Sequence, residues 1–189
     1  MKEKLQIILV YQFFLLPLQW ISKETKNKTT LLTIKRKETI MGYTHYWGFK
    51  KSPKQIENGM DMFAQAVKMF KKGIKIIEKE FVPEDEESQF KLCGFCGTGK
   101  PVLTDTLVNF NGDEKTGNAC ESCTIAVDDC GFTFCKTCRL PYDVAVCLAL
   151  LCFKKVFGDN FWYKSDGDIR SGEEGWKLAK KVIRELTKA

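Results

Sequence analysis

Met41-Gly42-Tyr43-Thr44-His45-Tyr46-Trp47-Gly48-Phe49 opens the stretch whose pattern decides the fold. Tyr43, His45, Trp47 and Phe49 recur at every second residue, so a β-strand carries all four on one face. Ser52-Pro53-Lys54-Gln55 then reads as a helix start. Ser caps, Pro takes the first helical position, and Gln55 completes a capping box. Ile56, Met60, Phe63, Val67, Phe70, Ile74 and Ile77 follow at alternating spacings of four and three. That is one apolar stripe on a helix of about 25 residues, about 37 Å long. Lys68, Lys71, Lys72, Lys75 and Lys79 fall off the stripe and form its solvated side. With only about three heptads available, packing on a sheet is expected over a coiled coil.

Working outward, residues 81–89 form an acidic linker, and Pro101 to Phe110 reads as one extended run punctuated by Asn111-Gly112-Asp113. Thr124 to Val127 and Gly131 to Cys135 are two further short strands. Asp143 to Phe157 is apolar on all sides, which marks a buried helix stopped by Gly158. Phe161-Trp162-Tyr163 is a last strand, Ser165-Asp166-Gly167-Asp168 a turn, and Ser171-Gly172-Glu173-Glu174 a second capping box. Trp176, Ala179, Ile183 and Leu186 line the final helix. The expected order is β-α-β-β-β-α-β-α: a single α+β domain, with a small, mostly antiparallel sheet packed by three helices.

Residues 1–40 read differently. They hold eight Lys/Arg against three Glu, while residues 41–189 hold 22 basic and 21 acidic residues, so the net charge of +6 divides as +5 and +1. Binding a phosphate backbone needs a concentrated basic face, so bulk charge gives no strong nucleic-acid signal in 41–189. Leu5 to Ile21 is an apolar run between lysines. It lacks the small-residue cleavage site of a signal peptide and, with Gln6, Gln12, Pro17 and Gln19 inside it, is a weak membrane span. The expectation is a misassigned start, with translation from Met41 and a cytoplasmic domain over 41–189. The alternative is a membrane anchor through residues 5–21.

Nine cysteines all lie between Cys93 and Cys152, and six form C-x-x-C pairs: Cys93/Cys96, Cys120/Cys123 and Cys135/Cys138. Two such pairs can complete a tetrahedral zinc site, and four of the six would serve. Cys93/Cys96 with Cys120/Cys123 and Cys120/Cys123 with Cys135/Cys138 both have suitable spacing. Competing readings are buried free thiols, which cover Cys147 and Cys152, and disulfides in an oxidising compartment. Gly94 to Lys100 matches a phosphate-binding loop until Pro101 replaces the Ser/Thr, and a strand is expected to follow it.

His45 is the sole histidine. With Cys135 and an acid, Asp143 or Asp166, it offers a thiolate nucleophile with an imidazole base. Lys136, Arg139 and Tyr142 cluster at a loop before the buried helix, a setting for ligand-binding groups, and Asn111 joins them as a polar candidate. Met41-Gly42-Tyr43-Thr44-His45-Tyr46-Trp47, Asn109-Phe110-Asn111-Gly112, Phe134-Cys135-Lys136-Thr137, Arg139, Pro141-Tyr142-Asp143 and Ser165-Asp166-Gly167 together resemble a family of short bacterial and viral proteins without an assigned activity. The resemblance spans about 150 residues and omits 1–40. It implies domain boundaries rather than a mechanism, and its pattern does not require Cys93/Cys96 or Cys120/Cys123. Cys135, Lys136 and Arg139 do match it. The expected function is a small cytoplasmic binding or accessory protein, with a ligand or protein partner to be found and zinc as a stabilising cofactor. The rival is an enzyme using Cys135, His45 and an acid; a membrane-anchored form of the same domain is a third reading.

Overall fold

A computed structural model describes residues 42–83, 88–166 and 174–188. In chain order the elements are β1 (Thr44–Phe49), α1 (Gly59–Glu80), β2 (Val102–Leu103), β3 (Leu107–Phe110), β4 (Cys123–Ala126), β5 (Thr133–Lys136), α2 (Asp143–Phe157), β6 (Phe161–Ser165) and α3 (Glu174–Leu186). They build a mixed α+β domain with two three-stranded antiparallel sheets, ordered β5-β1-β6 and β2-β3-β4.

The extended run from Pro101 to Phe110 is two strands. Thr104 N donates to Leu107 O at 2.8 Å, and Leu107 N donates to Thr104 Oγ1 at 3.1 Å, which folds the run into a hairpin. The threonine hydroxyl supplies the turn that glycine or proline usually signals. The observed order therefore has one strand more than expected, and that strand belongs to a second sheet.

Helix α1 also begins later than expected. Gln55 Oε1 accepts from Ser52 N at 3.3 Å, but Pro53–Gln55 form only a separate 3-10 turn. Ile56 is extended, and Asn58 sits in the left-handed region at φ 55°. Gly59 then passes so close to Pro53 that a Cβ would stand 1.9 Å from its carbonyl oxygen. The buried stripe runs from Phe63 through Ala66, Val67, Phe70, Ile74 and Ile77, while Met60 is 41% exposed. All five lysines named above face outward.

Helix α2 is buried on nearly every side, as its uniform apolarity implies. It packs on α1 and α3 and against β6. Gly73 of α1 allows the closest approach, since a Cβ there would lie 2.6 Å from Leu148 Cδ2. Phe153 of α2 meets Phe63 of α1 edge-on at 5.0 Å between ring centroids, and Phe157 of α2 meets Phe49 of β1 at 5.0 Å, which ties the helix pair to the sheet. On α3 the buried residues are Trp176, Ala179 and Val182, with Ile183 and Leu186 half-buried beside them. No helix among the described residues is long and apolar enough to cross a membrane. The apolar run at 5–21, part of the acidic linker and the second capping box lie outside the described residues.

Phe63→Ala is expected to cost about 3–5 kcal/mol in urea unfolding and Met60→Ala no more than about 0.5 kcal/mol. Equal effects would contradict this helix register.

Candidate functional site

The turn Leu140-Pro141-Tyr142 delivers Asp143 as the first residue of α2, with its amide donating to Leu140 O at 2.8 Å. The carboxylate thereby lies beneath β1. His45 Nε2 is 2.8 Å from Asp143 Oδ1, and His45 Nδ1 is 2.6 Å from Ser165 Oγ across the β1–β6 pair. Thr137 Oγ1 donates to the same Oδ1, and Cys147 Sγ, one helical turn on, donates to Oδ2 at 3.6 Å. With Nε2–H donating to the carboxylate, Nδ1 of the neutral ring accepts the Ser165 hydroxyl proton.

This Ser165–His45–Asp143 line has the connectivity of a hydrolytic triad, but it is sealed. His45 is fully buried, and Ser165 and Asp143 are nearly so. The Tyr43 ring stands edge-on to the imidazole at 5.0 Å, Trp176 closes it at 5.6 Å, and Trp176 Nε1 donates to Tyr43 Oη at 3.1 Å. Arg139 Cζ caps the Tyr43 ring at 4.3 Å. A Cβ on Gly175 would lie 2.6 Å from Asp143 Oδ2, so α3 shuts the remaining side. The network joins β1, β6, α2 and the loop after β5; a nucleophile there has no room for a carbonyl substrate.

Cys135 faces His45 across the β1–β5 pair without engaging it. Both ring nitrogens are occupied, and the Cys135 thiol donates to Glu121 O at 3.2 Å. Burial, with Cys123 and Glu121 adding to it, pushes this thiol well above the usual range. A buried protonated thiol is a poor nucleophile. Tyr142 is held nearby, its hydroxyl donating to Glu121 O at 2.8 Å, and burial pushes its pKa up as well. Asp166 lies apart from His45, accepting from Tyr46 Oη at 2.8 Å and Thr44 N at 3.0 Å.

Two of the C-x-x-C loops meet at Asn111, whose amide is spent on the Cys120 loop and on Gly112. Its Oδ1 accepts from Cys120 N and Gly112 N, and its Nδ2 donates to Cys120 O and Ser122 Oγ. Cys93 pairs with Asn111 through the backbone, and Cys96 N donates to Ser122 Oγ at 3.1 Å. Cys120 and Cys138 bring their sulfurs to 3.2 Å. Burial, then the Cys138 contact, pushes Cys120 up to about 11. Cys123 and Cys135 are buried, while Cys96 is exposed. Among the described residues, only His45, Asp143 and Cys147 place three ligand-type atoms within 4.8 Å of one another.

The other face of β5-β1-β6 is open. Tyr46, Phe132, Phe134 and Trp162 lie there, with Phe132 63% and Phe134 53% exposed. A shallow groove on this face is lined by Tyr46, Phe132, Trp162, Lys164, Ser165 and Asp166. Lys136, half-buried, stands outside the groove at the far end of this face, its ammonium end beside Gly42 and its amide donating to Glu121 Oε2 at 2.7 Å. Comparison with family models, curated proteins and solved structures finds no match.

Of the residues singled out from sequence, His45 and Asp143 come together, whereas Cys135 and Asp166 stand on separate sides of them. Ser165 and Thr137 were missed, as were the outward aromatics. Strand alternation carried the signal: 161, 163 and 165 share one face, and 132, 134 and 136 the other.

Asp143→Ala, which strands three buried donors, is expected to lower stability by about 3–5 kcal/mol, and Ser165→Ala by about 1 kcal/mol. Similar losses in chemical denaturation would overturn the carboxylate's central place.

Proposed function

We propose that this chain is a small binding or accessory protein that recognises its ligand on the open aromatic face of the sheet. The observation that carries this reading is the pair of half-exposed rings, Phe132 and Phe134, set beside Tyr46 and Trp162 where no described element covers them. Contiguous exposed apolar surface of this kind costs solubility and marks interaction sites. The buried His45 network then holds the sheet rigid rather than performing chemistry, which speaks against the Cys135–His45 enzyme. Nine free thiols suit a reducing, cytoplasmic setting. The membrane-anchored alternative rests on residues 5–21 alone.

A second reading concerns zinc. The 3.2 Å approach of Cys120 and Cys138 supports these two as half of a Cys120/Cys123/Cys135/Cys138 set. Tetrahedral ligation at about 2.3 Å would space the sulfurs about 3.8 Å apart, so the Cys120–Cys138 pair would open slightly and Cys123 and Cys135 would move in to join it. Lys136, Arg139 and Tyr142 then frame this loop cluster rather than a separate pocket.

Titrating the full chain with indole, followed by amide NMR, is expected to shift signals at Tyr46, Phe132, Phe134 and Trp162 saturably. Shifts elsewhere, or none, would remove the proposed face. Native mass spectrometry is expected to show one zinc ion that a chelator strips with loss of fold; a folded, metal-free chain would end the zinc reading.

A further inference from the structure

We infer that the open face binds single-stranded nucleic acid, with bases stacking on the rings and phosphates pairing with Lys136 and Lys164. The inference rests on that face being the binding surface proposed above. Strand register sets out the face as a grid. Phe134, Tyr46 and Lys164 form one row across β5, β1 and β6. Lys136 and Thr44 pair in the next row, with Asp166 at its β6 end, where its amide donates to Thr44 O at 3.0 Å. In the third row Gly48 faces Trp162, with the Gly131 carbonyl over the glycine and Phe132 beside the Trp162 ring.

Gly48 makes the floor continuous. A Cβ there would lie 1.4 Å from Gly131 O and 3.0 Å from Trp162 Nε1. Without it, Phe132 and Trp162 approach to 6.2 Å between centroids with planes 26° apart. Phe132 also lies 5.9 Å from Tyr46 at 28° and 6.1 Å from Phe134 at 36°. Phe132 thus sits among three rings, each turned 26–36° from its own plane, and the four make an aromatic cluster on a three-stranded sheet.

Every base has a π-face, and stacking on an aromatic side chain contributes without regard to sequence. In a duplex those faces are already stacked and hidden, so the platform selects single strands. Lys164, exposed, stands directly beside Tyr46, and Lys136 beyond the Phe134 end, where each can meet a backbone phosphate. The acid on the face, Asp166, is held at one corner by Tyr46 Oη and Thr44 N. An apolar polypeptide would match the rings but leave both lysines without a role. The net charge of +1 over 41–189 hides this arrangement, because two lysines suffice once stacking supplies the rest.

The test is fluorescence anisotropy of the full chain with a short labelled oligothymidylate and a duplex of equal length, between about 50 and 200 mM salt. The single strand is expected to bind more tightly than the duplex. Two phosphate contacts predict a slope of log K against log salt of about −1.4, falling to about −0.7 in Lys164→Gln. Phe132→Ala, at an exposed position, is expected to weaken binding about 5- to 150-fold. Residues 1–40 carry their own +5, so the Phe132→Ala arm decides. Unchanged affinity in that variant, or a slope of −3 or steeper, would overturn the inference in favour of Lys68, Lys71, Lys72 and Lys75 on α1 or of the N-terminal lysines. Indole binding without oligonucleotide binding would also overturn it, leaving the face as a site for an apolar polypeptide. Failure of both probes would remove the face itself.

Discussion

The carboxylate of Asp143 is the point on which the architecture turns. One oxygen accepts from His45 and Thr137 and the other from Cys147, so a single buried group binds β1, the loop after β5 and the second turn of α2. Through His45 the chain of hydrogen bonds continues to Ser165 on β6. A polar group this deep is tolerated only when its bonds are satisfied, and satisfying them fixes where α2 starts relative to the sheet. Tyr43 and Trp176 then exclude water from the imidazole and dock α3.

Rigidity on the inner face bears on the outer one. Strand alternation couples the two: the residues between Tyr43, His45, Trp47 and Phe49 are Thr44, Tyr46 and Gly48, which point away from the helices. A sheet pinned from below by ring contacts and a buried carboxylate presents its upper side chains in one register. The described helices lie against the inner face and the core, which leaves Phe132 and Phe134 exposed among the described residues.

Long apolar periodicity was legible in the sequence. The β1 face, the bulk of α1 and the all-round burial of α2 follow from spacing alone, because hydrophobic burial dominates in those segments. What escaped was decided by single polar groups. Thr104 turned an extended run into a hairpin, and Asn58 with Gly59 delayed α1, both through local hydrogen bonds and backbone geometry that periodicity does not encode. His45 is legible in the sequence as an imidazole base on an aromatic strand face. Its partners lie 98 and 120 residues away, and register sets both Ser165 and Cys135 opposite it, so the choice of Ser165 rests on side-chain hydrogen bonds that periodicity does not encode. Asp166 was read as an acid for His45, yet its position on the opposite face of β6 assigns it to Tyr46. The outer platform was missed because Phe132 and Phe134 were read as part of a short strand and not as a face.

The place of β1 at the centre of its sheet shapes how the chain can be made. It is the first described strand to leave the ribosome, yet its neighbours β5 and β6 are encoded some 90 and 120 residues later. At about 5–20 residues per second, both edges of an aromatic strand wait on the order of ten seconds for their partners. Helix α1 can form meanwhile, but the sheet and the His45 network close only when β6 arrives. High contact order of this kind slows folding and prolongs the interval in which an unpaired strand is open to aggregation or chaperone capture. The last strand of this domain is therefore also its release signal from co-translational risk.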